Sequence, residues 1–214
     1  MRKLLLCAGV VFALAAGSAS ARTVADPTGD FLPSFVPLVP GVFDPDLDVT
    51  SLSVAYDKVA NAFLIGATFA GNVDPSKPGL YVLGIDTGLG AIHPFGGIGE
   101  PDVRFDQVAV IQKNGLATLS GHTLTATVSG DSLMLLIPNQ FLIPTGSKPG
   151  PQHYGFNLWP RNGLGNNNQI ADFAPQNAVF AAAPEPASWA LMLAGFGGLG
   201  AALRRRRAMA AAMA

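Results

Sequence analysis

Through the middle of the chain, hydrophobic residues recur at every second position. In LDVTSLSVAYD, Leu52, Val54 and Tyr56 share one face, and in NAFLIGATFA, Phe63, Ile65, Ala67 and Phe69 do the same. HTLTATV sets Leu124, Ala126 and Val128 opposite Thr123, Thr125 and Thr127. A period of two is the period of a half-buried β-strand. Ser129-Gly130-Asp131 reads as a hairpin turn leading into SLMLLIP. The pattern predicts further short strands around 80–85, 103–112, 154–159 and 178–181, with one helical turn over 139–143. No stretch of about 12 residues keeps a helical stripe. Many short strands joined by Gly- and Pro-rich turns predict an all-β body, an antiparallel β-sandwich. No internal repeat is visible.

The two ends break this alternation with continuous apolar runs. MRKLLLCAGVVFALAAGSASA has the three parts of an export signal: basic Arg2 and Lys3, an apolar stretch from Leu4 to about Ala16, and small residues Ala19 and Ala21 for signal peptidase. Cleavage is expected before Arg22. The second run, Ala187–Leu203, holds 17 uncharged residues, about 25 Å of helix. That is a short but sufficient transmembrane helix if the bilayer thins locally. Its glycines and alanines stand at the small-xxx-small spacing that lets helices approach in lipid.

Arg204, Arg205, Arg206 and Arg207 follow. Each arginine costs about 2.5–3.5 kcal/mol at the centre of a bilayer, so the cluster is expected to stay cytoplasmic. Pro184-Glu185-Pro186 then falls at the membrane–water boundary on the outer side. Its two prolines forbid a regular helix and keep the backbone extended, which is the shape a protease binds. Trp189 follows at a depth suited to an aromatic belt. The expected organisation is a signal peptide over 1–21, an exported body over 22–182, a sorting segment over 183–207 and a cytoplasmic tail over 208–214.

Pro-Glu-Pro, an aromatic three residues on, a Gly-rich apolar span and an arginine cluster together resemble the PEP-CTERM sorting tail. That resemblance implies processing near Pro184-Glu185-Pro186 by an exosortase, a membrane cysteine enzyme of Gram-negative bacteria that make extracellular polysaccharide. Transient anchoring in the inner membrane and delivery to the cell surface or matrix are implied with it. The body, with DPTGDF, DLDVTSLSVAYD, IDTG, NLWPR and ADFAP in order, is loosely similar to DOMON-like and glucodextranase C-terminal β-sandwich modules. This second likeness bears on fold and implies no activity.

Charge changes the picture once the ends are set aside. The body carries seven bases against thirteen acids, a net charge of −6. It lacks the basic footprint of a nucleic-acid binder. Cys7, the chain's cysteine, lies in the leader, so the processed body would hold neither a disulfide nor a thiolate metal site.

Two constellations in the body have candidate chemistry. Asp30, Asp44, Asp46 and Asp48 lie close in sequence and are oxygen ligands of the kind Ca²⁺ takes. On a straight strand Asp44 and Asp48 would stand about 13 Å apart, so a shared ion requires the bend that Pro45 allows. The alternative is a solvated acidic turn. Tyr154, Trp159 and Arg161, before the Asn/Gly-rich loop 162–169, suit a glycan surface, or equally a buried strand with Trp159 in the core. Residues 87–101 are Gly-rich, lack a phosphate-loop lysine and are expected to form a long surface loop. His93, His122 and His153 have no metal-ligand spacing, and neither G-x-S-x-G nor H-E-x-x-H occurs. The expectation is a noncatalytic exported protein associating with exopolysaccharide, with no cofactor beyond Ca²⁺. A glycan-active hydrolase and a self-assembling coat protein are the alternatives.

Overall fold

A computed structural model describes residues 21–146 and 150–181, which belong to one compact unit. The expected signal helix and C-terminal transmembrane helix lie outside the described residues. Among the described residues no helix is long and apolar enough to cross a membrane.

The body is all-β and antiparallel, as the alternation predicts. Its strands are β1 (Arg22–Ala25), β2 (Val49–Asp57), β3 (Ala62–Phe69), β4 (Leu80–Asp86), β5 (Gln107–Gln112), β6 (Leu116–Leu119), β7 (His122–Ser129), β8 (Ser132–Pro138), β9 (Gly155–Arg161) and β10 (Phe180–Ala181). They form one ten-stranded sheet in the order β1-β2-β3-β8-β7-β6-β5-β4-β9-β10. The two faces expected of separate sheets are joined through β7. Its first half, His122–Thr125, pairs with β6, and its second half, Ala126–Ser129, pairs with β8. The ribbon turns back on itself there and nearly closes.

Alternation places the core inside the fold. Phe63, Ile65, Ala67 and Phe69 of β3 are buried, while Leu64 between them is exposed. Phe63 meets Phe156 of β9 at 5.0 Å between ring centroids, and Phe69 stacks on Tyr81 of β4 at 4.5 Å. The β7–β8 hairpin turns through Gly130 and Asp131, with Gly130 at φ 60°, a conformation glycine adopts freely.

β4 and β9 are buried on both faces. The second cover comes from the loop expected at the surface and from the residues after it, since the strand expected over 103–112 begins only at Gln107. Phe95 and Phe105 pack on Trp159, both at 5.2 Å, and Phe173 closes the cluster from the C-terminal side. Gly84 opposite leaves room for the indole, since a Cβ there would stand 2.4 Å from Trp159 Cζ3. The stretch 87–101 is thus partly a lid on a second apolar layer. The turn expected at 139–143 is a 3-10 turn over Asn139–Phe141.

Candidate functional site

The aspartates that cluster in sequence part company in space. A 3-10 turn, Pro45–Leu47, separates their directions. Asp44 pairs with Lys77 at 2.6 Å near the surface. Asp46 makes a buried ion pair with Lys113 at 2.7 Å and accepts the Asp74 amide. Asp48 goes elsewhere: its Oδ2 accepts the Gly29 amide at 2.8 Å, which brings it beside Asp30. The four-residue set expected from sequence is therefore corrected. Asp44 and Asp46 answer lysines, and Asp30 and Asp48 share a separate neighbourhood.

Two further aspartates join that neighbourhood. Asp26 follows β1 directly, and its amide donates to Thr50 O. Asp172 arrives on the strand-like segment 170–174, which pairs with β9 through Ala171 N to Pro160 O and the Leu158–Ala174 bridge. Leu32 N donates to Ala171 O and Val36 N to Asn168 O, so the loop bearing Asp30 is laced to the segment bearing Asp172. As a result carboxylate oxygens of Asp26, Asp30 and Asp172 lie within 4.8 Å of one another.

These groups are short of partners. Asp172 is 1% exposed; its Oδ2 accepts the Val49 amide and its Oδ1 that of Phe173. Both oxygens of Asp30, Oδ2 of Asp26 and Oδ1 of Asp48 are buried without a hydrogen bond. Burial, reinforced by the charges of Asp30, Asp48 and Glu100, pushes the Asp26 carboxyl up to about 7. Burial also lifts Asp172 to about 8; the Val49 and Phe173 amides oppose this, and Asp26 and Asp30 add to it. Asp48 is raised too, first by burial and then by Asp30, against the Gly29 hydrogen bond. Glu100, 4% exposed, accepts the Asn177 amide and is raised by burial. Sequence spacing could not reveal Asp26 and Asp172 as partners, because the start of β2 brings them together: Asp26 N donates to Thr50 O while Val49 N donates to Asp172.

The other expected site does not face solvent. Tyr154 is 1% exposed and Trp159 2%. The Arg161 guanidinium is turned onto its own loop, donating to Gly163 O and Asn166 O. The buried-strand alternative describes these three residues, and their rings are not available to a sugar. His93, His122 and His153 are exposed and belong to separate parts of the fold, with His122 stacked on Phe141.

Pro184, Glu185, Pro186, Trp189 and Arg204 to Arg207 lie outside the described residues, as does Ala19; Ala21 is exposed at the start of the body. β10 ends at Ala181, so the described fold stops just short of Pro184. Comparison with protein families matches residues 182–207 to the PEP-CTERM protein-sorting motif. The chain carries a PEP-CTERM sorting tail. It is thereby an exported protein, transiently held in a membrane and processed by an exosortase. No curated protein and no solved structure gives a significant match, so the likeness of the body to DOMON-like modules is unsupported by either comparison.

Proposed function

We propose that the PEP-CTERM protein is a noncatalytic component of the cell surface or extracellular matrix, where its body associates with exopolysaccharide. The observation that supports this reading is the sorting motif at 182–207, because the resemblance to PEP-CTERM tails implies a host that makes extracellular polysaccharide. The acidic, thiol-free body suits a passive extracellular domain whose stability comes from packing. Pro184-Glu185-Pro186 replaced by three alanines should leave a larger, membrane-bound species on immunoblots of fractionated cells. Equal release of mutant and parent would rule out processing at this site. Retention of the released protein on the host's own exopolysaccharide tests the second half of the proposal, and a flow-through identical to that of an unrelated acidic protein would count against it.

A self-assembling coat is the second reading, and the outer face of the sheet favours it. Leu64 of β3 and Leu136 of β8 stand directly opposite one another, 42% and 53% exposed, with Met134 beside them. Exposed apolar patches of this kind mark contacts between macromolecules. Light scattering of the released protein across concentration distinguishes the two, since growth of particles without polysaccharide supports the coat.

A further inference from the structure

We propose that Asp26, Asp30 and Asp172, with Asp48 beside them, form a calcium site that ties the first strand of the body to its C-terminal segment. Opposed oxygens around Ca²⁺ are about 4.6–5.2 Å apart, twice a bond of 2.3–2.6 Å. The three carboxylates, within 4.8 Å of one another, fit that sphere. The donors are all hard oxygens, which select Ca²⁺ over metals that prefer nitrogen or sulfur.

A second observation is independent of the clustering. Asp48 is 3% exposed, its Oδ1 is buried without any hydrogen bond, and the negative charge of Asp30 acts on its carboxyl. Asp30 has neither oxygen bonded. Buried charges are normally paired or bound to metal, and the groups acting electrostatically on Asp26 and Asp172 are themselves acidic. A divalent cation supplies the missing charge and the missing partners together. Backbone carbonyls and water would complete six to eight ligands.

The position gives the ion a purpose. Asp26 lies one residue after β1, and Asp172 lies on the segment leading to β10, so one ion clamps chain regions from opposite ends of the body. A processed body without cysteine has no disulfide for this task. Extracellular modules bind Ca²⁺ with Kd of about 10⁻⁴–10⁻³ M, so such a clamp would tighten once the protein is outside.

The test is thermal unfolding of the full chain in detergent micelles, followed by near-ultraviolet circular dichroism after EDTA treatment. With ~10 mM calcium chloride the Tm should rise by about 3–10 °C. Asp30→Asn should remove most of that rise. It should not lower the Tm in EDTA, because the Asp30 carboxylate makes no hydrogen bond to protein. Asp26→Asn serves as a second variant should the first not fold, and Asp131→Asn on an exposed turn should keep the full rise. No rise with calcium, an equal rise in Asp30→Asn, or an equal rise with magnesium chloride would overturn the assignment. None of these outcomes bears on exosortase processing, which cleavage of the tail tests separately.

Discussion

The Arg22 guanidinium lies over the ring of Phe180, 5.1 Å from its centroid. Arg22 opens β1 and Phe180 opens β10, the two edges of the ten-stranded ribbon. The contact thus links the two ends of the sheet order among the described residues. It also joins the residue after the expected signal-peptidase cut to the last strand before the sorting motif. Phe180 is 7% exposed, and Phe180→Ala should cost about 3 kcal/mol through lost burial. Arg22→Ala, at an exposed cation–π contact, should cost no more than about 1 kcal/mol. Hydrogen exchange should show faster exchange at β1 and β10 in both variants, with β4 unchanged.

Lys113 and Asp46 are an ion pair whose side chains are each 2% exposed. Removing one partner from such a pair leaves a buried charge uncompensated, at about 3–5 kcal/mol. Lys113→Met should therefore lower the urea midpoint sharply. Adding Asp46→Asn removes the stranded charge and keeps an oxygen for the Asp74 amide, so the double variant should recover part of the loss. Equal midpoints for single and double variants would show that the pair carries no such penalty.

Asp106 fastens the loop after β4. Its carboxylate accepts amides of Thr87, Gly90 and Ala91 and the Thr145 hydroxyl. Burial alone would raise its pKa, but these four donors together outweigh it and hold the group at about 2, below its ordinary 3.8. The stabilisation is present in full above the unfolded value and is lost as pH falls through about 2. Parent and Asp106→Asn should differ most above pH ~4 and converge towards pH ~2. Urea midpoints measured between those limits give the comparison, and a difference independent of pH would contradict it.

The alternation of β2, β3, β7 and β8 made the interior of the sheet legible, because each strand buries one face against the core. β1 was harder, and β10 is shorter than the strand expected around 178–181. Arg22–Ala25 is largely exposed, and Phe180–Ala181 is too short to carry a period. β6 is a four-residue strand, LATL, between two tight turns. Trp159 was ambiguous in sequence for a physical reason: an aromatic ring suits a sugar face or a core, and Gly84 opposite decides for the core. The acidic loop misled through proximity. Asp44, Asp46 and Asp48 are neighbours along the chain, yet the turn at Pro45 sends two of them to lysines. Asp172 is distant in sequence and became visible through the start of β2, where Val49 N donates to it and Thr50 O accepts the Asp26 amide.

In the proposed sorting scheme the arginine cluster stays inside while an enzyme cuts the extended peptide on the outer face of the membrane. Intact mass of the protein recovered outside the host cells tests it directly. The expected chain starts at Arg22 and ends near Pro184-Glu185-Pro186, with Arg204 to Arg207 absent. An extracellular mass that retains those four arginines would contradict it.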